Sequence, residues 1–257
     1  VPNTYKDYWR NSLVRNNLGK LSSYRAIGEL PEMESSKAVA QRLKKYIGRD
    51  YKIVDVGCCA GNLIRSLDRI NDVTIAYTGV DNSDQFLNLG RKNFANRKDV
   101  EFVYGDAYDL PFNNAAFDIV VSDNLFTHLP SVAKPISELC RVSSRYALFR
   151  LLVSEQSYQV KLVMPDENGK DFLENGEPRN FYFSNIYSSS YIERILSQEK
   201  RVTNFYIEHD EDFSADAINQ SAELNIHLPH YTQVKNGRQV NGCIILPQAF
   251  VHVEFSN

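Results

Sequence analysis

The sequence predicts an α/β protein whose mostly parallel sheet is covered by helices on both faces. Three observations predict it. Short apolar, β-branched runs recur along the chain, too brief for helices, and four of them end in carboxylates: Asp55, Asp81, Asp106 and Asp123. Helical patterns separate these runs, so successive strands are joined by crossovers and lie parallel. The first run enters a turn of small residues, Gly57-Cys58-Cys59-Ala60-Gly61, and an apolar-periodic stretch follows at once (Leu63, Ile64, Leu67, Ile70). Strand, small-residue turn and helix let a ligand lie against a helix N-terminus, and a glycine allows both a sharp turn and close approach.

Taken in order, residues 1–34 are aromatic and polar without a strong period. They read as a surface arm or as a lid carrying the only tryptophan, Trp9. A helix is predicted over 35–48, from a serine start to a glycine stop. The first strand is 51–56, a helix covers 61–71, and the second strand is 73–80. Ser83 caps a helix through Phe94 with Phe86, Leu87 and Phe94 inward, and the third and fourth strands are 100–104 and 117–122. Leu110-Pro111-Phe112 carries the chain over the sheet edge between them. Pro130-Ser131 marks a helix start that Pro135 delays, with the end near Val142. The continuous apolar run 146–153 fits a fifth, central strand. Arg150 interrupts it and needs either solvent or a structural carboxylate.

Beyond Ser154 the chain leaves this alternation. Asp166-Glu167-Asn168-Gly169 and Glu174-Asn175-Gly176 are turn signals, and Phe181-Tyr182-Phe183 is a short aromatic strand. Ser188 precedes a helix with Tyr191, Ile192, Ile195 and Leu196, and 202–208 reads as a sixth strand. Residues 210–236 form a polar stretch too long for a bare connector. Residues 243–247 and 250–255 together read as a seventh strand, bent at Pro247. The whole, 1–257, is most economically one domain, with substrate-side insertions at 154–190 and 210–236.

Composition narrows the classes of function. A net charge of −3 among 257 residues gives no global reason to bind nucleic acid. No apolar stretch approaches the ~20 residues of a membrane span, and no N-terminal signal pattern is visible. Val1, where a Met would stand, suggests processing or trimming. Four cysteines at 58, 59, 140 and 243 include no Cys-x-x-Cys pair, and reduced thiols in a cytoplasmic protein are expected.

Residues 36–153 resemble the class I S-adenosylmethionine-dependent methyltransferases. The resemblance rests on Val54-Asp55-Val56-Gly57-Cys58-Cys59-Ala60-Gly61-Asn62, Gly79-Val80-Asp81-Asn82-Ser83, Gly105-Asp106-Ala107-Tyr108-Asp109-Leu110-Pro111-Phe112 and Phe117-Asp118-Ile119-Val120-Val121-Ser122-Asp123. It implies a Rossmann-like, seven-stranded, mostly parallel sheet with an insertion after the fifth strand, and S-adenosyl-L-methionine as cofactor. The spacing Asp-x-Gly-x-x-x-Gly differs from the Gly-x-Gly-x-x-Gly of dinucleotide sites. Cys59 departs from the family, which usually has a second glycine there.

By that resemblance Asp55, Gly57, Cys58 and Gly61 shape the cofactor turn, and Asp55 orients it or the methionine amino group. Asp81, with Asn82 beside it, accepts the ribose hydroxyls, since a carboxylate offers two coplanar acceptor oxygens. Its alternative role is to cap the helix that starts near Ser83. Asp106 bonds the adenine amino group beside the Ala107 amide, or else simply forms a turn. Asp123 lies near the sulfonium. His128 is the candidate general base, because imidazole titrates near working pH, and Asp123 is the next candidate. The alternative for His128 is packing or a bond to backbone. Trp9, Asn124, His128 and Tyr182 are expected to face the substrate. No metal is expected: Asp123-Asn124 follows the fourth strand and the fifth ends in Ser154-Glu155, which does not match the Mg²⁺ ligand set of some relatives.

The expected acceptor is a hydroxyl of a small molecule, most simply a sugar or a capsule or secondary-metabolite precursor, and the expected assembly a monomer or homodimer. N-methylation of a small amine is an alternative. So is a binding subunit that has lost its chemistry, with Cys59 as the lesion.

Overall fold

The computed structural model describes residues 12–70, 75–166, 168–210, 233–235, 238–241, 244–245 and 248–256. The parallel strands β1 (Lys52–Val56), β2 (Ala76–Asp81), β3 (Val100–Tyr104), β4 (Phe117–Asp123) and β5 (Ser143–Ser154) form the body of one sheet. β9 (Val202–His209) and β13 (Gln248–Phe255) extend it in the order β3-β2-β1-β4-β5-β13-β9. β13 runs antiparallel to both of its neighbours, and the two-residue strand β8 (Tyr187–Ser188) joins β5 in parallel. The seven strands expected from the sequence are this path.

Helices cover both faces because the strands are apolar on both sides. On one face Val54, Val120, Phe149 and Val251 pack under α5 (Ala133–Val142) and α6 (Ser189–Leu196) through Ile136, Leu139, Ile192 and Leu196. On the other, Ile53, Ile119, Val121, Leu148 and Phe250 meet α2 (Glu34–Leu43), α3 (Asn62–Ile70) and α4 (Asp84–Asn93) through Val39, Leu43, Ile64, Leu67 and Leu87. Neighbours such as Ile53 and Val54 thus serve opposite cores, as a two-residue pleat requires.

Several boundaries differ from the sequence reading: the fifth strand starts at Ser143 instead of Tyr146, and two others move further. The helix expected at 35–48 starts earlier, with Met33 as its N-cap, and ends at Leu43. Ser35 and Ser36 are buried inside its first turn instead of capping it, and Gly48 lies beyond its end. The seventh strand begins at Gln248; β12 (Ile244–Ile245) pairs instead with β11 (Arg238–Asn241), which pairs with β10 (Gln233–Lys235) in a separate small sheet. Trp9, and residues 211–232 of the second insertion, lie outside the described residues.

The first insertion builds a hairpin, β6 (Lys161–Met164) paired antiparallel with β7 (Asn180–Phe183). Turns close at both predicted signals, where the Gly169 amide donates to Asp166 O and the Gly176 amide to Leu173 O. The hairpin meets α1 (Ser12–Ile27), whose Leu18 packs with Met164, Leu162 and Tyr182. α1 crosses α3 and α4, so the N-terminal segment and the insertion approach each other above the strand tips.

Candidate functional site

The tips of β1, β2, β4 and β5 and the turn after β3 open into a cavity of about 910 Å³. That falls within the roughly 300–1,000 Å³ typical of small-molecule pockets. Asp55, Gly57, Cys58, Asp81, Asn82, Asp106, Ala107, Asp123, Asn124, His128 and Tyr182 all line it. Gly61, expected among them, does not. It takes φ +88° at the entry to α3, and a Cβ there would meet Ile64, Phe94 and Phe102 within 2.8–3.1 Å, so its role is to seat the turn against the core.

The turn itself is closed by its own bonds. The Gly57 and Cys58 amides donate to Val80 O, the Ala60 amide to Ser22 Oγ, and the Gly61 amide to Cys58 O. The Cys59 amide donates to Asp81 Oδ2 (3.1 Å), while Asp81 Oδ1 accepts from the Ser83 amide (2.9 Å). Asp81 therefore ties the turn after β1 to the start of α4, and its carboxylate lines the cavity with acceptor capacity left for a ligand. The two roles weighed for it from the sequence coexist. Cys59 sits at φ +50°, the left-handed region that favours glycine, which explains why a glycine is usual at this position.

Burial dominates the electrostatics. Asp55, whose Oδ2 accepts from the Tyr77 hydroxyl at 2.7 Å, is pushed up to about 7, and Asp81 to about 6 despite its amide donors. Burial also raises Asp123, against the pull of Arg150. Its Oδ1 is buried with no hydrogen bond; Arg150 Nη1 stands 3.8 Å away, and Ser35, close enough to ease the carboxylate's charge, closes no bond of ordinary length. Ser35 Oγ, Ser83 Oγ and Gln248 Oε1 are likewise buried without a hydrogen bond, and their residues line the same cavity. Asp106 Oδ1 accepts the Tyr108 amide, the turn geometry weighed from the sequence.

His128 ends a 3₁₀ turn (Phe126–His128) after β4. Its Nδ1 lies 2.9 Å from Phe183 O of the insertion hairpin. A carbonyl can only accept, so Nδ1 carries the proton and the lone pair sits on Nε2. Burial lowers its pKa from the ordinary value. The Tyr182 ring lies 6.2 Å away, centroid to centroid.

Residues 54–149 match the family described as methyltransferase domain. The chain has the class I S-adenosylmethionine-dependent methyltransferase fold. A demethylmenaquinone methyltransferase of Staphylococcus aureus (strain MRSA252) is 29% identical over 131 residues, 50% of this chain and 54% of that protein. The match thus spans about half the length of the curated relative. Among solved structures, an S-adenosylmethionine-dependent methyltransferase of Methanosarcina mazei has a TM-score of 0.54 at 15% identity, over 83% of this chain and 96% of the other. Phosphoethanolamine N-methyltransferase 2 of Haemonchus contortus, in complex with S-adenosyl-L-methionine, has a TM-score of 0.61 at 14% identity, over 99% and 60%.

Within this methyltransferase fold the cavity has walls that sequence reasoning missed. Arg150, 3% exposed, is held by Asp210, 4% exposed, at 2.9 Å and by Asn124 Oδ1 at 2.7 Å. The partner demanded by a buried arginine comes from the end of β9, sixty residues on. Ser22, Arg25, Ser35 and Gln248 also reach the cavity from segments with no motif. Only the buried charge of Arg150 gave a signal in the sequence.

Proposed function

We propose that this chain is an S-adenosyl-L-methionine-dependent methyltransferase acting on a hydroxyl of a small molecule, with a sugar or sugar-like precursor as the simplest acceptor. The observation that carries the reading is the gathering of Asp81, Asp106 and Asp123, from successive tips, around one cavity of about 910 Å³. The residues present fit the cofactor. Asp81 would accept the ribose hydroxyls, Asp106 and Ala107 would take the adenine, and Asp123 Oδ1, buried and without a hydrogen bond among the described residues, would accept from an ammonium or hydroxyl donor. The cofactor supplies an activated methyl group on a sulfonium, so the protein's work is mainly placement, which can contribute roughly 7–11 kcal/mol.

His128 supports a hydroxyl acceptor. The bond from Nδ1 to Phe183 O fixes the ring and its tautomer, so Nε2 is the atom that takes a proton from the hydroxyl. Burial keeps the ring neutral at neutral pH, the form a base requires. Tyr182 and Asn124 stand as the acceptor's neighbours in this reading. The Staphylococcus aureus relative and the Haemonchus contortus structure are named for demethylmenaquinone and phosphoethanolamine, so acceptors differ across the fold.

The test is calorimetric titration with S-adenosylhomocysteine, followed by a screen of hydroxylated and amine acceptors with methyl-labelled cofactor. Label is expected on a hydroxylated acceptor, and His128→Ala should lower its turnover on the order of 100- to 10,000-fold. Absence of S-adenosylhomocysteine binding removes the cofactor reading. Label found only on amines removes the hydroxyl.

A further inference from the structure

Among the described residues, Arg25 is the cation of the cavity wall that no carboxylate answers. α1 turns Leu18, Leu21, Ser22 and Arg25 towards the cavity, at the three- and four-residue spacing of one helix face. Ser22 fixes that face against the glycine turn, accepting from the Ala60 amide (2.9 Å) and donating to Asn62 Oδ1 (2.8 Å). Leu18 stands one turn before it, against Tyr182. Arg25 follows nearly one turn after, about 10 Å along the helix axis from Leu18. Arg25 thus lies on the cavity-lining face of α1 that Ser22 seats on the glycine turn.

Every other Arg or Lys of the wall has an acid partner. Lys37 pairs with Glu34 (2.8 Å), Arg42 with Glu208 (2.6 Å), Arg69 with Glu32 (2.8 Å) and Arg150 with Asp210 (2.9 Å). Among the described residues none pairs with Arg25, and burial pushes its pKa below the ordinary value with no acid to offset it. A half-buried guanidinium with five donors loses part of its hydration and gains from an anionic partner. Its planar fork matches a carboxylate or a phosphate.

We propose that Arg25 binds the anionic group, carboxylate or phosphate, of a ligand held in this cavity. Two sources share that chemistry: the methionine carboxylate of the cofactor, which rests on the function proposed above, and an anionic group on the acceptor. Near the glycine turn the cofactor's own carboxylate is the nearer source.

The experiment compares Arg25→Gln and Arg25→Lys with the parent, by calorimetry with S-adenosylhomocysteine and with 5′-methylthioadenosine, the same thioether nucleoside without the amino-acid end. If the carboxylate is the cofactor's, Arg25→Gln binds S-adenosylhomocysteine at least tenfold more weakly, methylthioadenosine is unaffected, and Arg25→Lys recovers part of the loss. If the anion is the acceptor's, both nucleosides bind as in the parent. Inorganic phosphate, titrated into the S-adenosylhomocysteine complex, then binds the parent and not Arg25→Gln. Equal weakening of both nucleosides, or no change in any of the three titrations, overturns the inference. Failure of the parent to bind either nucleoside overturns the cofactor reading itself, and phosphate binding then tests Arg25 alone on the free protein. Thermal unfolding checks the variant: losing an unpaired, half-buried cation leaves Arg25→Gln at least as stable as the parent.

Discussion

Asp55 and Asp81 carry a pH dependence that can be worked out by sign. Both are held protonated to higher pH in the folded chain than in the unfolded one, at about 7 and about 6 against ordinary values of 3.8. Between about pH 4 and pH 7 the native state therefore binds more protons, and these two groups withdraw stability from the ligand-free protein as the pH rises through that window. Urea unfolding at stepped pH checks it. In the cofactor site proposed above, ribose hydroxyls would donate to the ionised form of Asp81, so S-adenosylhomocysteine should bind more weakly below about pH 6 and release protons on binding there. Calorimetry in two buffers of different ionisation enthalpy measures that release. Cys59 gives a second prediction: at φ +50°, Cys59→Gly keeps the amide bond to Asp81, removes the Cβ clash and should stabilise the chain by about 1 kcal/mol, read from the urea midpoint.

At the scale of elements, Asn185 pins the insertion to the end of β4. Its Nδ2 donates to Leu129 O, its Oδ1 accepts from the Val160 amide, and its own amide donates to Thr127 O. The same segment supplies Phe183 O to His128. Asn185→Ala takes the acceptor from the half-buried Val160 amide, leaves Leu129 O with the Tyr187 hydroxyl alone, and should cost about 1–3 kcal/mol. Amide exchange should then quicken across β6 and β7, and turnover should fall with it. The strands and their acidic tips were legible in the sequence because their signals are local: a two-residue pleat, a β-branched run, a carboxylate where the run stops. The helix at Glu34–Leu43 was misplaced because Ser35 and Ser36 look like caps, whereas both are buried inside its first turn, with Ser35 beside Asp123 at the tip of β4. The cavity wall was harder still. Ser22 meets Ala60 across 38 positions and Arg150 meets Asp210 across 60, and no periodicity marks either.

Across the whole molecule, a run of charges links the cavity to the far edge of the sheet. Arg150 bonds Asn124 and Asp210, Arg42 stands 4.0 Å from Asp210 and bonds Glu208, and Glu208 meets His252, which meets the Tyr146 hydroxyl. Removing one member from the buried end should be severe. Asp210→Leu leaves Arg150 with Asn124 and the Asp123 carboxylate 3.8 Å away and should cost about 3 kcal/mol, whereas joining it to Arg150→Met should cost less than either single change. Denaturant unfolding of the four proteins makes the cycle. A last consequence follows from β13, which lies between β5 and β9 and is the neighbour through which β9 joins the sheet. During synthesis β9 leaves the ribosome some forty residues before the strand it must pair with. The sheet's outer edge is therefore completed only once residue 255 has emerged, and a ribosome stalled before residue 248 would hold a chain whose first five strands can assemble while β9 waits unpaired.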